Sequence, residues 1–224
     1  MNLHPQIAMS QEKELHFFVA ERNWRKGVEW YTSNFVGESQ IHGEASTSYT
    51  MFPQHRGVPE RMHSVVPDAR LIYLVRDPVE RIISDYIHEV ARGREQKEIA
   101  EALIDMETSP YVARSRYAMQ LQRYLDSFPP CRVRILTSEE LYHHRRETMQ
   151  EVFRFAGVED TSHSRRFSRL KHSSETKRRK TALGIWWERT PVMRAVERWP
   201  FGVREKIKAV VYNALSRPIP RPRL

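Results

Sequence analysis

The stretch LIYLVRDPVERIISDYIHEV, residues 71–90, constrains this chain more than any other. Leu71 to Val75 is an unbroken apolar run rich in branched side chains, as expected of a strand covered on both faces within a parallel sheet. Asp77 is a good N-cap, and Pro78 suits the first helical position because the N–H it lacks has no intrahelical partner there. Glu80 falls where a capping box places its carboxylate. Val79, Ile82, Ile83, Tyr86, Ile87 and Val90 recur at three- and four-residue spacing, which predicts a helix with one face packed on the sheet. Arg76 has no part in that stripe. It stands at the carboxyl end of the strand, where open α/β sheets bind ligands. Ser84, one position past Ile83, lies beside the stripe, where a hydroxyl could face a ligand. The plain alternative is an Arg76 that pairs with a nearby carboxylate and a Ser84 that is merely exposed.

The chain has 224 residues, which suits one α/β domain over residues 1–180 with a helical C-terminal extension over 181–224. Lys and Arg outnumber acids 37 to 28, a formal charge of +9, so polyanions, acidic membranes and phosphorylated ligands all fit the balance. The single cysteine, Cys131, excludes an intramolecular disulfide and a multi-cysteine zinc site. No signal peptide or membrane-spanning run is visible, and a cytoplasmic protein is the expectation.

Along the chain, KELHFFV reads as an extended segment in which Glu12, Glu14 and His16 alternate to one side. A helix follows through Arg25 to Phe35. IHGEASTSYTMF, residues 41–52, reads as a short strand leaving a loop of small and hydroxyl residues, with a helix near His63. Ser115 to Phe128 is predicted helical, ending at Pro129-Pro130. A strand starts at Val133 with a helix behind it, and TMQEVFRFAGV is a helix stopped by Gly157. Repeated strand-then-helix units argue for a parallel sheet with crossover helices. From Arg165, SRRFSRLKHSSETKRRK is strongly basic, and the tail SRPIPRPRL is too rich in proline to be a helix. Between them, GIWWERTPVMRAVERWPFGVREKIKAVVYNAL is predicted to form two or three amphipathic helices.

Four stretches, HPQIAMSQEKELHFF, GEASTSYTMFP, LIYLVRDPVERIISDY and SRYAMQLQRYLDSFPPCRVRILTSEEL with EVFRFAGV, resemble the sulfotransferases that use 3′-phosphoadenosine 5′-phosphosulfate (PAPS). The likeness is to the bacterial branch similar to heparan-sulfate sulfotransferases. The resemblance implies a P-loop-NTPase-like parallel sheet flanked by helices, and transfer of a sulfuryl group from PAPS to a hydroxyl or amine of a carbohydrate or small molecule. It assigns Arg76 and Ser84 to the 3′-phosphate of the nucleotide, which suits the bidentate fork of a guanidinium. It makes Glu14 the general base and His16 its orienting partner, and places Glu44 near the same edge. Ala45 stands where some branches carry a lysine. Lys177, Arg178 and Arg179 match a late basic loop that closes over the nucleotide phosphates, and Tyr117 a position that touches the nucleotide, although Ser115 replaces the family's glycine ahead of it.

One family element has no counterpart. The Lys-x-Gly-Thr-Thr phosphosulfate loop should precede HPQIAMS, so the sheet is expected to lack its first strand and that loop. No metal is expected, since His143 and His144 are adjacent and nothing has metal-ligand spacing. The alternative function is a non-catalytic basic module that binds nucleic acid or another polyanion. Against nucleic acid, the basic run lacks interleaved aromatics. A lesser option is membrane attachment through Trp186, Trp187 and Trp199.

Overall fold

Parallel strand pairs joined by helices organise the first part of the protein. The computed structural model describes residue 1, residues 4–161, the backbone of 178–180, and residues 214, 216–219 and 222. These divide into two units, the described residues of Met1–Pro78 with Val112–Leu170, and those of Val79–Tyr111 with Lys171–Leu224.

In the first unit β1 (Ile7–Met9) runs parallel to β2 (Ile41–Gly43), with Ile7 opposite Ile41 and Met9 opposite Gly43. The connection between them carries helix α1 (Gly27–Ser33), as a parallel pair requires. After β2 comes α2 (Val58–Val65), then β3 (Leu71–Val75). Helix α3 (Pro78–Ala91) starts at Pro78, the position expected from its missing donor, and the boundary between units falls just after that residue. Helices α4 (Ile99–Ala102), α5 (Pro110–Ser115) and α6 (Tyr117–Leu125) lead to β4 (Val133–Thr137). β4 pairs parallel with β3 from Leu71↔Val133 to Val75↔Thr137. Thr137 caps α7 (Ser138–His143) in a capping box with Glu140, and α8 (Arg145–Ala156) ends at Gly157, whose φ of 75° is the left-handed turn that stops a helix.

This is an α/β fold, with two corrections to the expectation. Leu71 to Val75 is not covered on both faces: Ile72 is 38% and Leu74 50% exposed, and β3 has β4 as its partner among the described residues. KELHFFV is not extended either, because Glu14 (φ 60°) and His16 (φ 48°) adopt left-handed backbone. Between and after them Leu15, Phe17, Phe18 and Val19 are fully buried, in a core with Tyr31, Val58, Met62, Tyr124 and Phe128. Phe17 stacks on Tyr31 with ring centroids 4.5 Å apart. Two non-glycine residues in this region cost about 1–3 kcal/mol each. Burying Leu15, Phe17 and Phe18 offsets that, at about 1.5–3 kcal/mol per side chain. A second core joins Ile7 of β1, Leu136 of β4 and Val152 and Phe153 of α8.

In the second unit the α3 stripe packs as Ile83, Tyr86, Ile87 and Val90 against Ile99 and Tyr111; Val79, assigned to the stripe from sequence, is 49% exposed. The segment 178–180, expected as a loop, is a strand, β5 (Arg178–Lys180), antiparallel to β6 (Ser216–Pro218) in the proline-rich tail. The helices predicted across 184–215 lie almost entirely outside the described residues.

Candidate active site

The loop after β1 presents Glu14 and His16 on one side while Leu15 and Phe17 anchor the other in the core. A left-handed residue reverses the local direction of the chain, so these two backbone angles, rather than strand alternation, bring the two side chains together. The Nε2 of His16 lies 3.6 Å from Oε2 of Glu14. Glu12 is exposed and is not part of the pair.

The segment Glu44–Tyr49 holds this loop from across the chain. Thr47 donates to Oε2 of Glu14 through its hydroxyl at 2.9 Å and its backbone N–H at 3.4 Å. Ser48 bonds Nδ1 of His16 at 2.5 Å, and the backbone N–H of His16 donates to the hydroxyl of Ser46 at 3.0 Å. Ser46 in turn donates to Glu44 at 3.0 Å. The hydroxyl of Tyr49 donates to Oε1 of Glu44 at 2.7 Å and accepts from the N–H of Phe17 at 3.1 Å. Glu44 is therefore the hub of the support, with Tyr31 as a further donor. Composition offered one signal for these partners, the density of hydroxyls in ASTSYT; their pairing with a loop some thirty residues earlier was not legible.

Electrostatics differ between the members. Burial, then the Arg22 guanidinium, push the proton affinity of His16 below imidazole's ordinary value, against the opposing pull of Glu14, so the ring is neutral at pH 7. Burial raises the Glu44 carboxyl above the usual carboxylate range, and hydrogen bonds from Tyr49, Ser46 and Tyr31 counter part of that rise. With Oε2 of Glu14 occupied by Thr47 and facing His16, Oε1 accepts no hydrogen bond among the described residues, and the side chain is 29% exposed. Such a carboxylate can accept a proton from a group that approaches from solvent.

Arg76 follows β3 directly and is half-buried. Its backbone N–H donates to the hydroxyl of Tyr117 at 3.4 Å, and the Tyr117 ring meets Tyr73 edge-on at 5.8 Å. The next N–H, of Asp77, donates to Glu139 at 3.1 Å; that bond is the largest of the effects that lower the Glu139 proton affinity, the charge of Arg76 adding to them. Tyr117 and Glu139 thus fix the strand-to-helix turn that presents Arg76. No local pattern pointed to Glu139, which lies 62 residues from Asp77. Ser84, half-buried on α3, belongs to the second unit, as does β5 with Arg178 and Arg179; Lys177 lies outside the described residues.

The paired Glu14 and His16, and Arg76 at a strand end ahead of Asp-Pro, are the residues that the resemblance to sulfotransferases singled out. The sulfotransferase domain model matches residues 1–209, and the chain belongs to that family. It is 32% identical over 171 residues to heparan sulfate glucosamine 3-O-sulfotransferase 5 of Mus musculus, covering 70% of this chain and 48% of that protein. To bifunctional heparan sulfate N-deacetylase/N-sulfotransferase 1 of Caenorhabditis elegans it is 27% identical over 156 residues, covering 63% of this chain and 18% of that one. The chain thus spans about half the length of the first relative and much less of the second. In structure it is similar to a sulfotransferase from Alicyclobacillus acidocaldarius, with a TM-score of 0.62, 25% identity and 83% of each chain covered.

Proposed function

We propose that this chain transfers a sulfuryl group from PAPS to a hydroxyl or amine of a carbohydrate acceptor. The observation that carries this reading is the Glu14–His16 pair, held by Thr47 and Ser48 with one carboxylate oxygen open to solvent. Family membership and the heparan sulfate sulfotransferases among its relatives support it.

In this reading Glu14 takes the proton of the acceptor group as that group's oxygen or nitrogen bonds to sulfur. The bond from sulfur to the phosphate oxygen breaks, and adenosine 3′,5′-bisphosphate leaves with the electron pair. His16, neutral and fixed by Ser48, orients Glu14. Arg76 and Ser84 bind the 3′-phosphate, Tyr117 holds the turn that carries Arg76, and Lys177, Arg178 and Arg179 bind the nucleotide phosphates. The donor supplies an activated sulfuryl group, so no metal is assigned.

The finer fold reading is part of the same proposal. The β1–β2 and β3–β4 pairs belong to one P-loop-NTPase-like sheet, whose joining strand and phosphosulfate loop are not among the described residues. In support, each of the four strands has a single partner among those residues.

The test is sulfuryl transfer from radiolabelled PAPS to heparan sulfate by the full chain and by Glu14→Gln. The variant is expected to lose about 10²–10⁴-fold in rate while still binding adenosine 3′,5′-bisphosphate. An equal rate in the two proteins removes Glu14 from the role of base.

A further inference from the structure

Tyr49, whose hydroxyl holds Glu44, also lines a cavity of about 250 Å³ in the first unit. A cavity of about 150 Å³ accommodates benzene, so this one has room for a larger ring with substituents. One wall is rigid. The Gln120 side chain, buried in this wall, accepts from the N–H of Phe52 at 2.9 Å and donates to the carbonyls of Phe52 and Ala113 at 2.7 and 3.0 Å, which leaves its amide fully engaged.

The remaining polar groups are of two kinds. Arg123 and Arg56 lie over the Phe52 ring, 4.2 and 5.8 Å from its centroid, and neither guanidinium donates to an acceptor among the described residues. A guanidinium held over an aromatic ring in this way keeps its N–H groups available for an anion. Gly57, also in the lining, precedes α2 with no capping side chain, which adds the positive end of a helix to the same rim. The other kind accepts hydrogen bonds. His55 has a side chain only 8% exposed; its Nδ1 is 3.2 Å from Glu21, and its Nε2 has no hydrogen-bond partner among the described residues. Burial, with the charges of Arg22 and Arg114 acting the same way, lowers the proton affinity of His55 against the pull of Glu21, so the ring is neutral at pH 7. An Nδ1–H that donates to Glu21 leaves Nε2 as an acceptor. The exposed carboxylate of Glu60 adds a second acceptor.

Two guanidiniums without a protein acceptor among the described residues can hold an anion, and a buried acceptor beside them calls for a hydroxyl on the same ligand, since a buried polar atom left unpaired costs stability. A bare anion satisfies the first and not the second, and a neutral sugar the reverse. We propose that this cavity binds one unit of an anionic sugar, its carboxylate or sulfate ester held by Arg56 and Arg123 and a hydroxyl donating to Nε2 of His55. The sulfotransferase reading is needed only to identify that unit as part of the acceptor.

Isothermal titration calorimetry on the full chain tests this, with D-glucuronate, glucose 6-sulfate, methyl β-D-glucoside and inorganic sulfate as separate titrants. Both anionic sugars are expected to bind at least about tenfold more tightly than the glucoside or inorganic sulfate, the two named sources of anion being ranked by the same measurement. Arg56→Ala and Arg123→Ala, both at exposed positions, are each expected to weaken the anionic sugars about tenfold and to leave adenosine 3′,5′-bisphosphate unaffected. No binding of either anionic sugar overturns the proposal. So does glucoside or inorganic sulfate binding as tightly, or affinity unchanged in both variants. Nucleotide binding is read separately: its absence beside intact sugar binding leaves the site standing and removes the sulfotransferase reading, and the converse does the opposite.

Discussion

Replacing Tyr49 with Phe removes one hydroxyl and strands two groups. The hydroxyl donates to Oε1 of Glu44 at 2.7 Å and accepts from the N–H of Phe17 at 3.1 Å, and Phe17 itself is fully buried. Each group left unsatisfied costs about 1–3 kcal/mol, and the carboxylate end is softened because Ser46 and Tyr31 still donate to it. The expected loss is about 2–4 kcal/mol, which lowers the melting temperature by about 4 °C or more for a chain of this size. Urea unfolding followed by Trp fluorescence should show a lower midpoint with an unchanged slope. The pH dependence supplies a second reading. Burial holds the Glu44 carboxyl above its usual range, so this residue's contribution is complete below its ordinary 4.5 and is lost as pH rises through the folded value. Without the Tyr49 donor that window extends further upward, so the variant's deficit should grow with pH across it. A loss below about 1 kcal/mol, equal at both ends of the window, would refute the assignment of Glu44 as the hub.

Arg76→Ala is expected to weaken adenosine 3′,5′-bisphosphate binding by about 2–5 kcal/mol and to leave the unfolding midpoint nearly unchanged; calorimetry and a denaturation curve check both. Phe153→Ala, at a residue with no exposure in the second core, should cost about 3–5 kcal/mol by the same denaturation assay. His16 and His55 both have proton affinities lowered by burial, so the unfolded chain binds more protons, and stability should fall as pH drops from imidazole's ordinary 6.5 toward the folded values. Unfolding midpoints at stepped pH should show that slope reduced in His55→Gln.

Local chemistry was legible where neighbours in sequence decide it. The β3-to-α3 junction follows from the lost donor of Pro78, the end of α8 from Gly157, and the start of α7 from Thr137 and Glu140 three residues on. The Glu14–His16 loop was not, because these two residues take backbone angles that no local propensity favours. Thr47, Ser48 and Ser46, about thirty residues later, hold them there, along with the burial of Leu15 and Phe17. Likewise an apolar run reads the same whether one or both faces of a strand are covered, and only the tertiary packing leaves Ile72 and Leu74 exposed. Strand β1 is not legible in sequence, since three residues are too few to display a period. The resemblance implies a loop for the basic run, yet Arg178–Lys180 pairs with a tail whose prolines are compatible with an edge strand.

The β3–β4 pair leaves Ile72 and Leu74 exposed on one face and Ile135 on the other, beside a strand edge whose backbone groups meet no ladder partner among the described residues. An edge of that kind is a template for another chain. What opposes it is like-charge repulsion between molecules that each carry +9. Salt shortens the reach of that repulsion to about 8 Å at physiological strength, so the protein is expected to self-associate as ionic strength rises, the reverse of how it would part from a polyanion.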